Sequence, residues 1–61
     1  MKRIKTKRVN KIIRSCQYYL EAGEQAMFRD EVRYLIREAG EDHPLVTNYL
    51  SNGKVFEFLN K

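Results

Sequence analysis

Four residues of this chain stand at a spacing that suits joint chemistry. Lys7, Lys11, Arg14 and Tyr18 fall at i, i+4, i+7 and i+11. On a helix they share one line, within roughly 60° of each other. Three cations and an aromatic ring in line can track a phosphate backbone and stack on a base. Lys2, Arg3, Lys5 and Arg8 lie at the same end. Residues 1–14 hold seven of the twelve Lys and Arg and no acid. Residues 15–61 hold five basic and eight acidic groups, so the net charge of +4 conceals a basic beginning on a weakly acidic body. Such an end points to phosphate backbones, anionic lipid or an acidic protein surface, with a merely solubilising terminus as the bland counterpart.

Helix electrostatics sharpen this reading. Cations near a helix N-terminus oppose the dipole and cost a few tenths of a kcal/mol each. Like charges at i, i+4 cost a similar amount. Lys7, Arg8 and Lys11 therefore do not serve helix stability.

A second ladder, Arg29, Arg33 and Arg37, runs at i, i+4, i+8. Asp30 precedes Arg33 by three residues and Glu41 follows Arg37 by four. The first reading of this ladder is a solvated, salt-bridged face, and ligand contact is the second. Met27 and Tyr34 form a small apolar spot, either the rim of the core or an anchor for a protein partner. Residues 38–53 contain no Lys or Arg. A recognition helix there would meet phosphates badly, so nucleic acid is expected at the first helix and the arm.

Other chemistry finds no footing. Cys16 lies within an apolar arc and reads as a buried, inert thiol. His43, the single histidine, precedes Pro44 in a helix-capping position. Glu41, Asp42 and His43 are adjacent, so their side chains diverge, and no second cluster completes a metal shell. No Gly-rich phosphate loop, Cys pair or Ser/His/Asp set occurs. The expectation is a non-enzymatic protein with no metal and no cofactor.

The elements that position the basic line follow from periodicity. In residues 6–22, Val9, Ile12, Ile13, Cys16, Tyr19 and Leu20 share an arc of roughly 120°. Thr6 is the expected N-cap and Gly23 the C′ residue. In residues 24–39, Phe28, Val32, Leu35, Ile36 and Ala39 share roughly 100°, closed by Gly40. The short break at Gly23 predicts an antiparallel αα-hairpin. Pro44 opens a third, short helix capped by Asp42 or His43. Asn52-Gly53 reads as a turn. In the tail, Val55, Phe58 and Leu59 suit a helix while Phe56 with Phe58 suits a strand. With no partner strand elsewhere, a short helix is expected.

The run Ile12, Cys16, Tyr19-Leu20 and Gly23, followed by Val32 and Leu35, loosely resembles one tetratricopeptide unit over about half the chain. Phe28 stands where that pattern has Ala, and Gly40 where it has Pro. A stacked array needs about three such units, so the resemblance implies a helical hairpin and no more.

Sixty-one residues allow one domain and a small core. The expectation is an all-α domain over 1–61, with residues 1–5 as a basic arm and a two-helix hairpin closed by one or two short C-terminal helices. Its expected core is Val9, Ile12, Ile13, Cys16, Leu20, Phe28, Val32, Leu35, Ile36, Leu45, Tyr49, Leu50 and Leu59. A homodimer or a partner would supply part of the stability of so small a core. No apolar run exceeds three residues, so no membrane span is expected. One Cys makes a cytoplasmic setting the default. Adsorption of the first helix to anionic membrane would require opening the hairpin. Two function classes follow. One is a small regulatory factor binding DNA or RNA through the arm and first helix. The other is an adapter or inhibitor, such as a phage or accessory protein, that docks on one larger protein.

Overall fold

The computed structural model describes residues 5–60. Lys2 and Arg3, the outer part of the expected arm, lie outside the described residues. Among the described residues the chain forms helices and turns with no strand: α1 (Thr6–Ala22), α2 (Gln25–Ala39), α3 (Pro44–Leu50) and α4 (Gly53–Leu59). The tail is therefore helical, as its 55/58/59 spacing predicts.

Each boundary has a local cause. Gly23 ends α1 in the left-handed region at φ 75°. Its N–H donates to the Leu20 carbonyl at 3.2 Å, and the Glu24 N–H donates to the Tyr19 carbonyl at 2.9 Å. This pair of bonds is the Schellman closure, which favours a residue without Cβ. Gly40 stops α2 at φ 89°, ψ 143°, a region that is nearly glycine's alone. His43 caps α3: its Nδ1 accepts the Leu45 N–H at 3.2 Å, with Pro44 in the first turn.

Two expected boundaries need correction. Thr6 is the first helical residue of α1, and Lys5 occupies the N-cap without any side-chain hydrogen bond. The Lys5 carbonyl already accepts from Arg8 and Val9, so the helix begins one residue earlier. Asn52-Gly53 is a helix start rather than a free turn. The Asn52 Oδ1 accepts the N–H of Lys54 at 2.9 Å and of Val55 at 3.4 Å. Gly53 does not take a positive φ.

The most extensive packing lies between α1 and α2, with α3 set against both and α4 against α2 and α3. The buried core is Val9, Ile12, Cys16, Phe28, Val32, Leu35, Val46 and Val55. Val46 and Val55 were not among the expected core residues. Ile13, Leu20, Ile36, Leu45, Tyr49, Leu50 and Leu59 pack around this centre only half-buried. A seven-residue helix has two turns, too few for a wheel to decide which apolar residue points deepest. Leu45 and Val46 are equal candidates in sequence, and the neighbouring helices make the choice.

Phe28 sits at the junction of the elements, with its ring edge-on to Phe58 at 5.1 Å and 71°. Such a pair adds about 0.5–1.5 kcal/mol beyond its area. Polar side chains then tie the short helices down. The Tyr49 hydroxyl donates to Gln17 Oε1 at 3.3 Å. Gln25 Nε2 donates to the Phe58 carbonyl at 3.1 Å, and Arg29 Nε to the Leu59 carbonyl at 3.2 Å. These are last-turn carbonyls of α4, which lack helical partners, so α2 caps α4 from outside. The Arg29 charge also complements the negative end of the α4 dipole. Among the described residues no helix is long and apolar enough to cross a membrane.

Candidate nucleic-acid interface

Burial of Val9, Ile12 and Cys16 fixes the rotation of α1 about its axis. With that face inward, Lys7, Lys11, Arg14 and Tyr18 must face solvent, and all four are exposed. At 1.5 Å rise per residue they are separated by roughly 6, 4.5 and 6 Å along the axis. They are also contiguous on the surface. Lys7, Asn10, Lys11 and Arg14 line one shallow recess, and Lys11, Arg14, Ser15, Tyr18 and Tyr19 line the next. Among the described residues no carboxylate forms an ion pair with Lys7, Lys11 or Arg14. Their charge is therefore not neutralised within the fold.

The flanks of this line are different. Toward α2, a recess of about 230 Å³ is lined by Arg8, Lys11, Ile12, Ser15, Glu31 and Tyr34. Toward α4, one of about 360 Å³ is lined by Gln17, Leu20, Glu21, Lys54, Glu57 and Phe58. Each flank thus brings in carboxylates: Glu31 on one side, Glu21 and Glu57 on the other. The Cα atoms span 34 × 17 × 15 Å, and these recesses lie along the sides of α1.

The remaining site candidates divide. Lys5 is exposed beside the start of α1. Arg8 lies off the line: its Nη2 donates to the Tyr34 hydroxyl at 2.9 Å, a bond from the start of α1 to α2. Tyr34 is therefore pinned by its hydroxyl and only 38% exposed. Met27 is 46% exposed on the same helix. Arg29 is held by the end of α4, while Arg33 and Arg37 are exposed. The expected pairs of Asp30 with Arg33 and Glu41 with Arg37 are absent among the described residues. On an exposed helix face each is worth only about 0.2–0.5 kcal/mol, too little to hold two long side chains together.

Sequence reasoning missed Phe56, which is 61% exposed on α4. The signal was there: with Val55, Phe58 and Leu59 on one face, residue 56 has to point elsewhere.

Cys16 lies fully buried on the inward side of α1. Desolvation pushes its thiol up to about 12, with the Glu31 charge adding to the rise and a backbone hydrogen bond opposing it. At neutral pH it is a protonated thiol with no nucleophilic fraction to speak of. Burial, then the neighbouring Cys16 and Glu21, raise the Tyr49 hydroxyl above its ordinary range, so it remains a hydrogen-bond donor to Gln17. Among the described residues no group of His, Cys, Asp and Glu could hold a metal ion. No protein-family model, curated protein or solved structure matches the chain.

Proposed function

We propose that this chain is a small non-enzymatic regulatory protein that binds nucleic acid. Its contact surface is the solvent face of α1 with the basic residues before it, carried on an antiparallel hairpin of α1 and α2. One observation supports this reading above the rest. Lys7, Lys11 and Arg14 form a contiguous exposed line with no ion-pair partner among the described residues, and Lys7 stands in the first turn of α1, where a cation opposes the dipole. The fold gains nothing from that placement, and a polyanion does.

The mechanism is phosphate neutralisation with release of condensed counterions. Three phosphate contacts give a log–log salt slope of about −2.7 on duplex DNA and about −2.1 on a single strand. Lys2, Arg3, Lys5 and the free donors of Arg8 would steepen it. Base readout is minor, since α3 offers no cation and no recognition helix.

Fluorescence anisotropy with labelled duplex DNA, single-stranded DNA and RNA, titrated across salt, tests this. The expected result is binding with a slope of at least two charges, lost when Lys7, Lys11 and Arg14 are reversed to Glu while helicity persists. Absence of binding to all three at moderate salt refutes it. A second reading, docking on one larger protein, is favoured by the exposed apolar side chains of Met27, Tyr34 and Phe56. It predicts that a 1:1 complex recovered from cell extract is lost on Met27→Ala or Phe56→Ala and insensitive to the charge reversals.

A further inference from the structure

We infer that the ligand of this face is a single-stranded nucleic acid, RNA or DNA, with one of its bases stacked on Tyr18 at the far end of the cationic line. The inference rests on the nucleic-acid reading above and narrows it. Tyr18 is 68% exposed, more than Met27, Tyr34 or Phe56. Folding makes little use of this ring, although the adjacent Tyr19 is half-buried against the core. The two rings meet edge-to-face, with centroids 5.5 Å apart and planes at 70°. In that geometry Tyr19 can cover at most one face of Tyr18. The contact braces the ring and leaves the other face free for a flat partner.

The cations adjoin this platform. Lys11 and Arg14 line the same recess as Tyr18 and Tyr19. A base seated on the ring therefore has its backbone beside Arg14, with Lys11 and Lys7 next in line for the following phosphates. Aromatic platforms interleaved with a cationic track bind single strands without needing a particular sequence.

The stacking geometry argues against a duplex. In a duplex the base faces are already stacked on one another, so Tyr18 would find no face to bind. An α-helix with its side chains is about 10–12 Å wide and fills the major groove, about 12 Å across. Lowering α1 into that groove would also bring its α4 flank, where Glu21 and Glu57 outnumber Lys54, toward one phosphate wall. A single strand needs only the crest of α1, where among the described residues no carboxylate pairs with the cations.

The test is anisotropy at fixed salt with four labelled probes of one length: oligouridylate, oligothymidylate, an abasic deoxyribose-phosphate oligomer and a duplex. Each is titrated with the unaltered protein, Tyr18→Ala and Tyr18→Phe. At least one base-bearing single strand should bind more tightly than the duplex. Tyr18→Ala should weaken that binding about 5- to 150-fold, the value of one stacked base. Tyr18→Phe should restore it, and the abasic oligomer should bind both variants alike. Because Tyr18 is exposed, helicity by circular dichroism should not change. A Tyr18→Ala loss that is as large on the abasic oligomer would overturn the inference, as would no loss at all or tighter binding of the duplex. In those cases binding lost only on charge reversal leaves phosphate recognition standing. If no probe binds, the inference and the reading beneath it fall together.

Discussion

The two ends of the molecule begin their helices in opposite ways. α1 starts at Lys5 with no side-chain cap, no acid in its first turn, and Lys7 and Arg8 close behind. α4 starts at Asn52, whose side chain takes two backbone N–H groups, and its far end is capped by Gln25 and Arg29 from α2. Length explains how both can stand. α1 has seventeen residues and buries Val9, Ile12 and Cys16, so packing sustains it despite an unfavourable end. α4 has seven residues and one fully buried side chain, Val55, and an isolated helix of that length does not hold in water. Where burial is scarce, hydrogen bonds at the ends have to make up the difference. Where burial is ample, the end is released for another use, and here it carries cations.

Four substitutions press on this contrast, taken in order of size. Phe28→Ala removes the side chain on which both ends rest, through the core of α1 and α2 and through the ring of Phe58. It should cost about 3–5 kcal/mol. In a domain this small the urea transition should vanish or move close to zero denaturant. Retention of a normal transition would mean the two ends are stabilised separately. Asn52→Ala should cost about 1 kcal/mol by removing the double cap, seen as a lower urea midpoint with the slope unchanged. The mirror experiment is Lys5→Ser, which offers α1 the cap it lacks. It should gain at most about 1 kcal/mol in the same measurement, opposite in sign to Asn52→Ala. A loss instead would show that Lys5 holds α1 in a way the helix end does not reveal. Smallest is Lys7→Glu, which should raise the midpoint by a few tenths of a kcal/mol because an acid suits the helix N-terminus. The same change should weaken oligonucleotide binding. Stability and binding moving in opposite directions is the sharpest form of the contrast, and a variant that loses both would contradict it.

Much of this was legible in the residues. Val9, Ile12 and Cys16 declare the inward face of α1 by their spacing, and a seventeen-residue helix gives that spacing five turns to establish itself. Once the inward face is known, the outward place of Lys7, Lys11, Arg14 and Tyr18 follows from geometry alone. Gly23 and Gly40 mark their helix ends because both take positive φ. His43 was one of two candidate caps, and the bond from Leu45 selects it over Asp42. Legibility fails where the signal is short or the partner distant. Val46 and Val55 lie on two-turn helices with apolar residues on more than one side. The Arg8–Tyr34 bond joins residues 26 apart, and Arg29 reaches a carbonyl 30 residues away. The Arg29 ladder invited local pairing with acids, yet one member was drawn to a helix end that no local pattern announces.

The division has a physical basis. Properties repeated along the chain at helical period, namely the buried stripe, the cationic line and the helix lengths, are determined by the sequence by itself. They depend on backbone geometry that every helix shares. Properties set by which element meets which were decided only by the tertiary structure. These include the depth of Val46 and Val55, the diversion of Arg8 to Tyr34, and the capping of α4 by Gln25 and Arg29. They include as well the carboxylates of α2 and α4 that flank α1. Each depends on the distance between groups far apart in the chain, and that distance exists only once the helices have packed.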